Sequence, residues 1–196
     1  RISNFDQKKK LLHKFGIDFI VNKKFDTKFS KIKSSDFIEK IIFKKLNAKF
    51  IFVSNNFKFG HKREGNVNQL IKYEGKYEYK IVKPKPFKFK KQIASSSLIR
   101  KYLEKGYLNR ANKLLNRNWT IIGKVKKGRQ FGKKIGFPTC NIDIKDYVMA
   151  RPGVYAVKVK LRNSTSYIKG IANLGFRPTF NQHKLLLEVH LFNFSR

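Results

Sequence analysis

A single cysteine, Cys140, excludes an intramolecular disulfide and points to a reducing compartment, the cytoplasm. Histidine is almost as scarce. His13, His61, His183 and His190 are scattered along the chain, and together with Cys140 they give no zinc-ligand spacing. Long apolar runs are missing too: stretches such as Phe50 to Val53 are far too short to cross a bilayer, and no secretory pattern is visible at the start, so no membrane partner is expected. Acidic residues number 12 against 46 Lys and Arg, a formal net charge of 46 − 12 = +34. Such a field attracts polyanions, and a basic nucleic-acid-binding module is one reading of it. The lysines are nevertheless spread along the whole chain, and the joint enrichment in Lys, Asn, Ile and Phe reads as compositional drift. The field then serves to attract small phosphorylated substrates, and nucleic-acid binding is expected to be non-specific. What is present is apolar material: 41% of the 196 residues, with 19 Phe, excludes a disordered tail and allows one large domain or two small ones. The chain starts at Arg1 rather than Met and ends at Arg196 just after a strand-like run, so a fragment cut at both ends is expected.

The first part alternates helix and strand signals. Asp6 to Phe15 carries Leu11, Leu12 and Phe15, with Asn4 as a cap and Gly16 as a stop. Ile17 to Val21 reads as a short strand. Ser35 or Asp36 opens a second helix, with Glu39 three positions after Asp36 and with Phe37, Ile38, Ile41, Ile42 and Leu46 at helical spacing. Lys49 to Val53 predicts a strand apolar enough to be buried on both faces, Val67 to Ile71 a short helix, and Tyr79 to Val82 another strand. This alternation indicates a parallel sheet. Lys83 to Lys91, with Pro84 and Pro86, predicts an extended surface loop. Ser95 to Ser97 begin a helix that stops at Gly106, and a short helix follows around Ala111 to Leu115. After Trp119 the pattern changes to period two. Tyr155, Val157, Val159 and Leu161 share one face, as do Leu185, Leu187, Val189 and Leu191. Strands with one wet face indicate an antiparallel sheet or barrel. The reading is an α/β domain over 1–117 and a small all-β domain over 118–196.

Residues 126–141, KKGRQFGKKIGFPTCN, carry the densest chemical signal. Gly128, Gly132 and Gly136 recur every four residues, which lets a backbone approach a bulky ligand and lets N–H groups cradle phosphate, while Arg129, Lys133 and Lys134 add positive charge. This is not a Walker A loop, because the glycine gap is one residue short and no Ser or Thr follows Lys133. Pro138 holds Phe137 extended, and Thr139 and Asn141 offer hard oxygen ligands suited to Mg²⁺ and phosphate. A glycine-rich hairpin with a Thr/Asn turn is the alternative. Glu188 stands alone in its strand between Leu186 and His190, opposite the apolar face. It reads either as a general base for a hydroxyl nucleophile or as a solvated residue paired with one of many lysines. Ser95 to Arg100, SSSLIR, reads either as an anion site at a helix start or as an ordinary cap. Phe57 and Phe59, within residues 55–65, either stack on a planar ring or pack in the core.

Taken in order, these segments resemble the bifunctional riboflavin kinase/FMN adenylyltransferase family of bacteria, the FAD synthetases. GKVKKGRQFGKKIGFPTCNI (123–142) is similar to that family's kinase signature; RPGVYAVKVK (151–160), GIANLGFRPTF (170–180) and LLLEVHLFNF (185–194) follow in the family's order. Upstream, FIFVSNNFKFGHKREGNVNQL (50–70) and SSSLIRKYLEKGYLNRANKLLNR (95–117) resemble its adenylyltransferase domain. The resemblance implies a nucleotidylyltransferase-like α/β domain with a Rossmann-like parallel sheet, followed by an antiparallel β-barrel flavokinase domain. The first would join AMP from ATP to FMN, releasing pyrophosphate; the second would phosphorylate the 5′-hydroxyl of riboflavin. Carried over residue by residue, Thr139 and Asn141 would hold Mg²⁺ and the ATP phosphates, and Glu188 would take the riboflavin hydroxyl proton. Gly128, Gly132 and Lys133 would shape the ATP loop. Ser96, Ser97 and Arg100 would bind ATP phosphates in the first domain, and Asn56 and Phe57 would lie near its flavin site.

This chain departs from the family pattern at several points. Cys140 replaces the usual Ala, Lys133 the usual Arg (losing a bidentate phosphate contact), Ser97 the usual Thr, and Ser54 a usual Gly. The family's amino-terminal His-x-Gly-His segment and its carboxy-terminal helix have no counterpart in these residues. The polypeptide as it stands is therefore expected to make FAD poorly, and activity is expected of the full-length parent. Two other readings stand beside the enzyme. One is a nucleic-acid module using lysine-interleaved aromatics such as PFKFKK (86–91), and the other is an inactive remnant of the same family kept as a scaffold.

Overall fold

The computed structural model describes residues 1–126, 132, 136–179 and 182–194. They pack as two compact units, one formed by Phe19–Ile93 and the other by Arg1–Asp18 together with Ala94–Arg196. The division into 1–117 and 118–196 follows the change of sequence pattern; the packing follows apolar faces, and these gather residues 94–117 onto the C-terminal strands.

In the Phe19–Ile93 unit, Asp26 caps a short helix, α2 (Thr27–Ser30), by accepting from the Phe29 N–H at 2.8 Å. The helix predicted at Ser35 or Asp36 begins as α3 (Ser34–Asp36) and continues over Phe37–Phe43 as a wider π-helical coil. Its bonds run five residues back, from Lys44 N to Glu39 O and from Leu46 N to Ile41 O, both 2.9 Å. The wider coil turns Ile38 and Ile42 into the core and leaves Leu46 exposed, so the apolar stripe is shorter than its sequence spacing indicated. Strands β1 (Phe50–Phe52) and β4 (Lys80–Val82) pair in parallel, Ile51 opposite Ile81. Between them lie β2 (Lys58–Phe59), β3 (Gly65–Asn66), α4 (Val67–Lys72) and α5 (Glu74–Tyr77). Ile38, Ile42, Phe59, Leu70, Tyr77 and Tyr79 form the core.

Three expectations are corrected in this region. β1 is not buried on both faces: Phe50 and Phe52 are each 66% exposed, because this two-stranded sheet is covered on one side only. Ile17–Val21 forms no strand, for it finds no ladder partner among the described residues, and Phe19 stays 90% exposed. The loop expected over Lys83–Lys91 closes into a hairpin, β5 (Lys88–Phe89) with β6 (Gln92–Ile93), whose turn residues Lys90 and Lys91 both have positive φ.

In the other unit, α1 (Phe5–Lys14) begins with a full capping box: Asn4 accepts from the Gln7 N–H, and the Gln7 side chain accepts from the Asn4 N–H. Helix α6 (Ser96–Glu104) is capped by Ser95 and stops before Gly106 at φ 78°; α7 (Leu108–Leu115) follows directly. Ile99, Leu103 and Ala111 from these helices pack against Ile144, Tyr147, Val148, Ala150 and Leu174.

The C-terminal residues form a five-stranded antiparallel sheet. Its strands are β7 (Val125–Lys126), β8 (Cys140–Asp143), β9 (Gly153–Val159), β10 (Ile168–Thr179) and β11 (Gln182–Leu191), in the order β7-β8-β11-β10-β9. The predicted alternation holds: Tyr155, Val157 and Val159 turn inward along β9, while Val154, Ala156 and Lys158 are exposed.

Candidate active site

The centre of this sheet brings the sequence-predicted residues together. Antiparallel pairing sets Glu188 of β11 directly opposite Asn141 of β8, so the two side chains share one face, with Cβ atoms about 4.5–5.5 Å apart in such a pair. The same row continues to Lys126 on β7, opposite Asn141, and to Asn173 on β10, opposite Glu188. Thr139 stands immediately before β8, two residues from Asn141. The carboxylate and the Pro-Thr-Cys-Asn bend therefore converge because β8 and β11 are neighbours, although 46 positions separate their paired residues in sequence (188 − 141 = 47, less one).

Asn141 is 7% exposed, and its Oδ1 is buried without a hydrogen-bond partner among the described residues. An orphaned buried acceptor costs about 1–3 kcal/mol, and a bound ion, a water or a ligand can satisfy it. Gly132 lies against the same bend. Its carbonyl accepts from the Phe137 N–H at 2.7 Å, and a Cβ there would collide with the Phe137 carbonyl oxygen and lie 3.6 Å from Thr139 Oγ1. Only glycine fits at that approach. Gly128 and Lys133, the other expected loop residues, lie outside the described residues.

Glu188 is half-buried, and no lysine among the described residues pairs with it. Charge is organised beside it: Lys126 Nζ binds Asp143 Oδ2 at 2.7 Å, and the Lys145 N–H donates to Asp143 Oδ1 at 3.1 Å. The hydrogen bond from Lys126, seconded by the Lys145 N–H, holds the Asp143 carboxyl below the usual carboxylate range. Burial pushes the Cys140 thiol up, so it stays protonated at neutral pH and is a packing residue. A buried amide oxygen, a hydroxyl and a half-buried carboxylate around a tight glycine approach make a hard-oxygen donor set. That set suits a divalent cation with phosphate, beside a base.

The other expected residues lie on other elements or between them. Ser96, Ser97 and Arg100 are exposed in the first turns of α6, and it is Ser95 that caps the helix, accepting from the Leu98 N–H at 3.2 Å. Asn56 and Phe57 belong to the Phe19–Ile93 unit. Asn56 Oδ1 accepts from the Ser54 hydroxyl at 2.9 Å, and Phe57 stacks on Phe59 at 5.6 Å and packs against that unit's core. Sequence reasoning passed over Asn173 and the position of His190. Asn173 had no signal; His190 showed only its shared face with Glu188.

Comparison with known proteins identifies the family. The family model for FAD synthetase matches residues 1–98, and that for riboflavin kinase matches residues 115–196. The chain belongs to the FAD synthetase family. The riboflavin kinase match spans all five strands of the sheet and contains Thr139, Asn141 and Glu188; the FAD synthetase match contains Asn56, Phe57, Ser96 and Ser97 and stops short of Arg100. Similar proteins include the bifunctional riboflavin kinase/FMN adenylyltransferase of Buchnera aphidicola subsp. Schizaphis graminum, 37% identical, covering 100% of this chain and 63% of that protein. The protein of the same name from Haemophilus influenzae is 38% identical, covering 94% and 60%, and that from Escherichia coli K12 is 34% identical, covering 98% and 61%. The FAD synthetase chain described here thus spans about 63% of the length of its Buchnera relative. A solved structure described as a macrolide-efflux protein from Streptococcus pneumoniae superposes with a TM-score of 0.85 at 26% identity, covering 100% of this chain and 62% of that one. Among the described residues, no helix is long and apolar enough to cross a membrane.

Proposed function

We propose that the five-stranded sheet carries a riboflavin kinase site, transferring the γ-phosphoryl group of Mg-ATP to the 5′-hydroxyl of riboflavin to give FMN. We further propose that the longer protein joins AMP from ATP to FMN to give FAD and pyrophosphate, in a nucleotidylyltransferase-like domain with a Rossmann-like sheet. The sheet of β7 to β11 is the wall of a flavokinase barrel in this reading, and the protein works in the cytoplasm. The observation that carries the kinase reading is the register pairing of Glu188 with Asn141, whose buried Oδ1 is an unused acceptor.

Asn141 Oδ1 and Thr139 Oγ1 are oxygen donors of the kind Mg²⁺ takes, and they would hold it with the ATP phosphates. When bound, the metal neutralises phosphate charge. Glu188 receives the proton of the riboflavin 5′-hydroxyl as that oxygen bonds to the γ-phosphorus. The bond from phosphorus to the β,γ-bridging oxygen breaks, and ADP leaves with its electron pair. Gly132 keeps the loop backbone against the bend, and Gly128 and Lys133 complete the ATP loop in the same reading. For the adenylyltransferase half, Ser96, Ser97 and Arg100 would contact ATP phosphates, and Asn56 and Phe57 would border the flavin.

The decisive variant is Glu188→Gln in the intact protein. It keeps the side-chain shape and removes the base, so FMN formation falls about 10²–10⁴-fold while riboflavin binding is retained. Unchanged turnover removes Glu188 from the mechanism.

A further inference from the structure

We propose that His190 is a positioning residue that holds the Thr139–Asn141 bend in the geometry that grips Mg-ATP; this rests on the riboflavin kinase reading. His190 follows Glu188 by two residues on β11 and shares its face. Pairing between β8 and β11 ends at Cys140 opposite Val189. Beyond that point the chain turns off the ladder, and the Pro138 carbonyl loses the strand partner it would otherwise have. His190 Nδ1 takes that place at 2.8 Å from the Pro138 oxygen. A carbonyl only accepts, so Nδ1 carries the proton and the tautomer is set.

The bend is thereby held on both sides of Pro138, a residue with no N–H of its own. Before it, the Phe137 N–H donates to the Gly132 carbonyl; after it, His190 holds the carbonyl. The imidazole is itself clamped edge to face, with Phe137 at 5.7 Å and Phe192 at 5.8 Å. A ring restrained by two aromatics gives its hydrogen bond a defined direction, and that bond precedes Thr139 by one residue and Asn141 by three. Supporting hydrogen bonds of this kind orient the groups that meet a metal, and their loss costs about 10–100-fold in metal affinity.

The test compares His190→Ala, His190→Asn and His190→Gln in the intact protein. The Asn amide N–H₂ sits near the place of Nδ1, whereas the Gln amide reaches toward the place of Nε2. Mg-ATP binding at the bend, read by calorimetry without riboflavin as the binding step that Asn141→Leu abolishes, is expected to weaken about 10–100-fold in the Ala and Gln variants and to recover in the Asn variant. Riboflavin affinity stays unchanged in all three. In the ligand-free protein, the Thr139, Cys140 and Asn141 amide resonances move in the Ala and Gln variants and return in the Asn variant. The parent shows a protonated Nδ1 by ¹⁵N spectroscopy. Unaltered Mg-ATP affinity in His190→Ala, equal rescue by Gln and Asn, or a deprotonated Nδ1 overturns the assignment. A parent that binds Mg-ATP but fails to phosphorylate riboflavin overturns the kinase reading instead, leaving the bend assignment to be judged on the binding and resonance data.

Discussion

Glu188 and Asn141 face each other across β8 and β11, and the amide oxygen of the pair is buried with no partner among the described residues. Burying an unused acceptor lowers stability. Asn141→Leu, of the same branching, is expected to leave the thermal midpoint unchanged or raise it, by up to about 1–3 kcal/mol of stability, while Mg-ATP binding at the bend is lost. Scanning calorimetry and a nucleotide titration on the same sample read both effects. A marked drop in melting temperature would show that Oδ1 has a structural partner after all.

Gly132→Ala tests the close approach of the loop to the bend. The added methyl group meets the Phe137 carbonyl oxygen, so the loop must shift. Mg-ATP affinity is expected to fall while the melting temperature changes little. Gly136→Ala is the control: its φ of 82° strains alanine, yet nothing lies within 4 Å of the added carbon, so its cost is conformational and not steric.

Tyr79 is 1% exposed and donates its hydroxyl to the Leu70 carbonyl at 2.7 Å. Burial pushes its phenol up to about 12. The folded state therefore holds this proton more tightly than the unfolded chain. The resulting stability is full below pH 10, the ordinary tyrosine value, and is lost as pH rises through about 12. Tyr79→Phe removes one of the two hydrogen bonds that the Leu70 carbonyl accepts (the other comes from the Tyr73 N–H at 3.1 Å), costs about 0.5–1.5 kcal/mol at neutral pH, and flattens the alkaline limb of a chemical-denaturation series.

Lys126 and Asp143 carry the opposite sign. The Asp143 carboxyl is held low, so its contribution is present above the ordinary carboxylate range and disappears as pH falls through the lowered value. Lys126→Met is expected to move the Asp143 titration upward, seen by carbon-detected NMR. An Asp143 titration that stays in place assigns the effect to the Lys145 N–H alone.

The Tyr147 hydroxyl donates to Gln7 Oε1 at 2.8 Å and accepts from the Ile122 N–H at 2.9 Å, joining α1 to the segment before β7. Tyr147→Phe removes both bonds and leaves the Ile122 N–H unpaired, while Gln7 Oε1 keeps the Asn4 N–H. The expected loss is about 1–3 kcal/mol in denaturant melts, with no effect on Mg-ATP affinity.

Much of this protein was legible one residue at a time. Asn4, Ser95 and Gly106 mark helix ends by local chemistry: a side-chain oxygen caps free N–H groups, and glycine accepts a left-handed turn. The alternation along β9 follows from the two-residue repeat of a strand, which any half-buried sheet imposes. The glycine spacing, the Thr and Asn of the bend and the isolated Glu188 were likewise visible as chemistry without an address. Strand existence at Ile17–Val21 and two-sided burial at β1 were misread for a physical reason: pattern reports what a segment can bury, and partners decide what it does bury.

The order of residues determined the element types, the caps and the supply of hard oxygen ligands, because these depend on neighbours within a few positions. Only the tertiary structure decided that β8 and β11 lie side by side, which puts Asn141 beside Glu188 and His190 beneath the Pro138 carbonyl. Strand pairing is a long-range choice among many apolar segments, made by burial of their shared face, and no local spacing encodes it.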